Sequence, residues 1–112
     1  MEGVNSMASI EDFKKIELIV AQIKEVKEHP NADRLYVLQV DTGKEVRQIV
    51  AGLRKAYTPE QLINRRIILI ANMDPAVIRG EVSNGMLLAA SNADSMALLA
   101  PDKELPLGSI VK

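Results

Sequence analysis

The chain has 112 residues, of which 47% are hydrophobic and 26% charged, with a formal net charge of −1 and no cysteine. One domain of this size buries a core without covalent staples, and the missing cysteines exclude disulfides, thiol catalysis and cysteine-held zinc. No apolar run approaches the roughly 20 residues of a membrane-spanning helix, and the opening MEGVNSMASIEDF lacks the basic-then-apolar order of a signal peptide, so a cytoplasmic protein is expected.

The small net charge hides an uneven distribution. Residues 14–79 hold 12 bases against 8 acids, while the flanking residues hold 2 against 7. A positive body with acidic tails is compatible with a local phosphate-binding face.

In chain order, Met1 to Ser6 carry no pattern and Met7 is an alternative start. Ser9 caps a short helix through Phe13, with Glu11 and Asp12 at its positive end, and Phe13 is expected to lid the core. From Ile16 to Val26 the apolar alternation slips phase near Val20 and Ala21, which predicts one long first strand bent by a bulge there. Glu28 to Asp33 is a loop broken by Pro30 and Asn31. Arg34 to Asp41 alternates as a second strand, Asp41 to Lys44 turns with Gly43 at positive φ, and Val46 to Ala51 returns as a third. Thr58, Pro59 and Gln61 combine an N-cap, a proline at the first helical position and a capping box. Arg66 to Ala71 is a fourth strand and Gly85 to Ser91 a fifth. Leu98 to Pro101 and Leu105 to Val111 read as short extra strands that cover something or pair with another subunit. A helix between the third and fourth of five strands is the element order of an OB-fold. The expected class is therefore all-β, a five-stranded OB-fold barrel with short helices and a C-terminal extension of short strands.

In such a barrel the loop after the first strand and the loop before the fifth flank one face. Here these are Asn31 to Arg34 and the Asn72 to Val82 arm, each carrying an arginine and short polar groups. Arg34 and Arg79 can fork onto phosphates. Asn31, Ser83 and Asn84 can bond sugar hydroxyls and base edges, Gly80 and Gly85 would let RNA backbone approach, and Met86 offers an adaptable apolar contact or a core side chain. Each has a plainer alternative: Arg79 as a solvated cation, Ser83 as a partner for a strand-start amide, Asn31 and Asp33 as turn stabilisers, and His29 as loop filler. Phe13, Tyr36 and Tyr57 are too few to stack a run of single-stranded bases, which favours folded RNA. One histidine, no phosphate loop and no G-x-S-x-G setting at Ser83 leave no catalytic inventory, and no cofactor or metal is expected.

The segments EHPNADRLYVLQVDTG, RQIVAGL, YTPEQL and NMDPAVIRGEVSNGMLLAAS resemble, in order and spacing, the tRNA-binding domain of the methionyl-tRNA synthetase C-terminus and of free-standing tRNA-binding proteins. The resemblance runs from about Phe13 to Val111. It implies an OB-fold that recognises the folded shape of tRNA, a homodimer, and a division into a tail at 1–12 and a tRNA-binding domain with a dimerisation extension at 13–112. Because the chain carries no catalytic sequence, the resemblance further implies a stand-alone protein or a β-type subunit assisting a methionyl-tRNA synthetase chain. By position it assigns RNA contact to the Asn31–Arg34 loop and to Arg79, Ser83 and Met86. Two departures shift weight elsewhere. Ile19-Val20-Ala21 replaces an Arg-Val-Gly triplet, and Asp74 and Val77 stand where many members have lysines, so Arg54, Lys55, Arg65 and Arg66 join the candidates. The related CsaA proteins supply the rival expectation, a chaperone-like peptide-binding dimer.

Overall fold

In the computed structural model, which describes residues 6–112, one strand carries two ladders. This is β1, Leu18–Glu28, whose β-branched first half pairs antiparallel with β4 (Arg66–Ile70) from Leu18 to Gln22. From Gln22 to Glu28 it pairs with β2 (Tyr36–Asp41), which pairs in turn with β3 (Val46–Ala51). The register shift that bends β1 lies between Ile23 and Glu25, not at Val20 and Ala21 where the sequence pattern slips. Val20, Ala21 and Ile23 are all buried, because the strand's first half is covered on both faces, and alternation fails there without a bulge.

The result is a strongly curled five-stranded antiparallel sheet in the order β3-β2-β1-β4-β7, with β7 at Met86–Leu87. The curl encloses a core that includes Ile23, Leu38, Ile49, Leu53, Ile67 and Leu69. Helix α2, Pro59–Leu62, starts with the capping box expected of Thr58 and Gln61 and buries Leu62 in that core. The predicted fifth strand is split. After β7 comes β8 (Ala89–Ser91), which leaves the sheet to pair with β9 (Met96–Leu98) as a separate hairpin. Helix α1, Ile10–Lys14, carries the Ser9–Asp12 capping box, but none of its residues is buried. Phe13 is 40% exposed and does not lid the core. The expected lack of pattern at Met1 to Asn5 lies outside the described residues.

Two features close the structure. Residues 108–111 run along the edge of β1 that β2 leaves uncovered: Gly108 N–H donates to Val20 O, Val20 N–H to Ser109 O, and Val111 N–H to Leu18 O. The tail thus covers an edge of its own sheet. At the opposite side, β3 meets β6 (Glu81–Ser83) without a ladder. The seam is bridged by Asn84 N–H to Gln48 O, by Gln48 Nε2 to Val82 O, and by Ser83. Ser83 is 5% exposed; its Oγ accepts from Val50 N–H at 2.9 Å and donates to Gly85 O at 3.1 Å. Gly85, at φ +132, lies between Ile49 and the carbonyl of Ile70, where a Cβ would be crowded at 3.1 Å. Among the described residues no helix is long and apolar enough to cross a membrane.

Removing the Ser83 hydroxyl orphans a buried N–H. Ser83→Ala is expected to lower unfolding free energy by about 1–3 kcal/mol in a urea titration, with the native circular-dichroism spectrum retained.

Candidate nucleic-acid interface

The arm is a β-ribbon made of β5 (Ala76–Ile78) and β6, with Val77 opposite Val82. Its two-residue turn is Arg79-Gly80, with φ +54 and φ +93. Positive φ at both central positions is the requirement of a type I′ hairpin turn, whose twist matches that of the strands. Glycine meets it freely, whereas arginine pays a strain of about 1–2 kcal/mol. Part of what holds Arg79 there is a hydrogen bond: its Nη2 donates to the carbonyl of Asn31 at 3.0 Å, 48 residues away in the chain. The two loops expected to flank one face do meet.

A second bond fixes the same junction. His29 is 4% exposed, its Nδ1 accepts from Asn31 N–H at 2.9 Å, and its Nε2 lies 3.0 Å from Ile78 O. The sequence gives one signal for this, a lone histidine directly before Pro30, and treating it as filler missed its role.

On the other flank, Arg54 braces the loop. Its Nη1 donates to Ala32 O at 3.3 Å, its guanidinium lies over the Tyr36 ring at 5.9 Å, and its Nη2 pairs with Glu28 at 3.1 Å. Between this brace and the β8–β9 turn opens a cleft of about 550 Å³ lined by Arg34, Lys55, Asn92, Asp94 and Ser95, among others. Among the described residues, neither the Arg34 nor the Lys55 side chain has a hydrogen-bond or ion-pair partner, and both are exposed.

The structure therefore sorts the candidate residues. Asn31 and Arg79 touch, and Arg34 and Lys55 share the adjoining cleft. Met86 is surface-exposed at 45% rather than core. Arg54 is engaged internally. Arg65 stacks on Tyr57 at 4.9 Å, and Arg66 holds Leu105 O at 3.1 Å and Glu104 at 3.5 Å. Asn84 spends its N–H on the seam. Ser83 and Gly85 are corrections: both are buried, so they shape the arm's base instead of presenting themselves to a ligand. Asp74 and Val77 are exposed on the arm, so neither adds positive charge to its surface.

The family model described as "Putative tRNA binding domain" matches residues 18–110. The methionine–tRNA ligase of Pyrococcus horikoshii is 56% identical over 102 residues, which cover 91% of this chain and 14% of the ligase. The chain thus spans about a seventh of that relative's length. Among solved structures, a MetRS-related protein from Pyrococcus horikoshii has a TM-score of 0.89 at 29% identity, covering 96% of this chain and all of that one. The CsaA chaperone protein of Picrophilus torridus has a TM-score of 0.87 at 31% identity, covering 95% of this chain and all of that one.

Stability and binding therefore separate among these cations. Arg34→Ala and Lys55→Ala are expected to leave thermal unfolding unchanged, within about 0.5 kcal/mol. Arg54→Ala loses its loop bond and its stack on Tyr36, and is expected to cost about 1 kcal/mol, most of it not from the pair with the well-exposed Glu28.

Proposed function

The chain belongs to the tRNA-binding domain family, and from that premise we propose that it binds folded tRNA by shape and backbone, at the mouth where the Asn31–Arg34 loop meets the Arg79 arm. The observation that carries this is the Arg79–Asn31 contact: it joins two polar loops into one surface beside two unpaired cations. Arg79 spends one guanidinium N–H on the loop and keeps the remaining donors for phosphate oxygens. Arg34 and Lys55 add charge that needs no internal bond to be broken. Gly80 has no atom within 4 Å of a would-be Cβ, so a sugar-phosphate chain can approach the turn closely.

The aromatic residues support a folded RNA over a single strand. Tyr36 is buried under Arg54 and donates its hydroxyl to Tyr57 O. Tyr57 is covered by Arg65, and its hydroxyl accepts from Leu98 N–H. Each ring has a guanidinium over one face and its hydroxyl already bonded, which leaves little platform for stacking bases, the main attraction for single strands.

The role is non-catalytic: delivery or retention of tRNA, alone or beside a methionyl-tRNA synthetase chain, in the cytoplasm. We further infer a homodimer formed through the end of the sheet where Ile16, Ile19, Ile110 and Val111 line a recess of about 430 Å³. Ile110 is 74% exposed there, an unusual position for a large aliphatic side chain on an edge-covering segment. A second reading, peptide binding of the kind the CsaA name denotes, draws on the exposed Val77–Val82 pair of the arm, 71% and 46% accessible.

Bulk tRNA is expected to be retained by the purified protein at low salt, and unfolded polypeptide is not; the reverse result would favour the peptide reading. Arg79→Glu and the Arg34→Glu, Lys55→Glu pair are each expected to weaken tRNA binding at least tenfold, with unchanged circular dichroism. Affinity should fall steeply as salt rises, because phosphate contacts release counterions, and a flat salt response would remove the electrostatic basis of the proposal. In sedimentation the species expected at micromolar concentration is a dimer, which Ile110→Asp should convert to the 12.3 kDa monomer.

A further inference from the structure

The ring of His29 is buried between the two halves of the proposed RNA surface, and its hydrogen bonds determine its protonation state. Asn31 N–H can only donate, so Nδ1, which receives it at 2.9 Å, carries no proton. Ile78 O can only accept, so the proton sits on Nε2, which donates to it across 3.0 Å. The neutral Nε2–H tautomer thus fastens the loop on one side and the arm on the other, one residue before Arg79.

We propose that His29 is a positioning residue for tRNA binding, and that only its neutral form holds the loop and the arm in the geometry that binds. The proposal rests on the tRNA reading above and adds a regulation to it. Protonation puts a second N–H on Nδ1, pointing at the Asn31 N–H. Two donors then face each other, the bond to Asn31 is lost, and the buried charge keeps the Ile78 carbonyl as its one remaining acceptor. The loop must move away from the ring, and with it the Asn31 carbonyl that holds Arg79 at φ +54.

Nearby charges do not offer an alternative partner. Asp33 and Arg34 sit on the ring's own loop, Arg79 and Glu81 on the arm, and Glu28 and Arg54 at the strand end and the brace. Glu28 is paired with Arg54, Glu81 lies 3.4 Å from Gln48 Nε2, and Arg79 holds Asn31 O. Among the described residues no carboxylate is bonded to the ring.

The sign of the effect separates this latch from ordinary electrostatics. An added positive charge on a phosphate-binding face should tighten RNA binding as pH falls; the latch predicts that binding weakens. His29 is the chain's only histidine, so comparison with a variant lacking the imidazole assigns a pH effect to it.

The test is tRNA affinity of the whole chain at pH 7.5 and 5.5 at constant ionic strength, read with the backbone amide resonances of Asn31 and Arg79 in the free protein. Wild type is expected to lose affinity at the lower pH, with both amides shifting together. His29→Gln carries an amide nitrogen at the reach of Nε2 and does not titrate; its affinity should be nearly independent of pH. His29→Phe keeps the ring's bulk without its nitrogens and should bind weakly at both values. Wild-type affinity that holds or rises at pH 5.5, or His29→Phe binding as tightly as wild type at pH 7.5, would overturn the latch. If wild type binds no tRNA at pH 7.5, the tRNA reading itself falls and this proposal with it, whereas a pH-flat but tight complex sinks the latch alone.

Discussion

Everything in this fold is hung on β1, because its eleven residues hold β4 along one half and β2 along the other. A strand that serves two ladders must bend, and the bend curls the sheet until β3 comes to face β6 and β7. The curl is completed by side-chain and loop hydrogen bonds instead of a fifth ladder in that sheet. That places a heavy demand on a few groups: the Ser83 hydroxyl satisfies one buried N–H and one carbonyl at the seam, and Gly85 leaves room for Ile49 beneath it.

The same curl decides what the surface can do. It brings the loop that ends β1 beside the arm that precedes β7, two segments that share no strand pairing. Their junction is polar and specific: Arg79 to Asn31 on the outside, and His29 to both loops on the inside. The candidate cations differ accordingly: Arg54, Arg65 and Arg66 are bonded or stacked within the fold, Arg79 joins the two loops, and Arg34 and Lys55 lie along the adjoining cleft.

Local chemistry was the legible part of the sequence. The N-cap at Ser9, the capping box at Thr58, the Gly43 turn and the second, third and fourth strands follow from neighbouring residues alone, and the structure has them there. What escaped depends on residues far apart in the chain. The bend of β1 moved because burial on both faces imitates a phase slip. The fifth strand broke because Ala89 to Ser91 found a partner in Met96 to Leu98. At the site, residue type placed Arg34 and Arg79 correctly on the two converging loops. It could not tell a free cation from a braced one, since Arg54 and Lys55 are adjacent in sequence and opposite in use. Nor could it tell a hydroxyl offered to solvent from one consumed at a seam, as at Ser83. The motif that makes the family recognisable therefore mixes residues of the surface with residues that build it.

The edge of β1 is finished by residues 108–111, and this has a consequence for biosynthesis. Translation proceeds at roughly 5–20 residues per second, so the first strand leaves the ribosome on the order of ten seconds before the segment that covers it. During that interval an apolar, β-branched strand has one bare flank, the arrangement most prone to recruit a neighbouring nascent chain. Vectorial synthesis thus sets a window of vulnerability whose length depends on the speed of elongation, and slow decoding of the codons between the two segments would prolong it without changing a single amino acid.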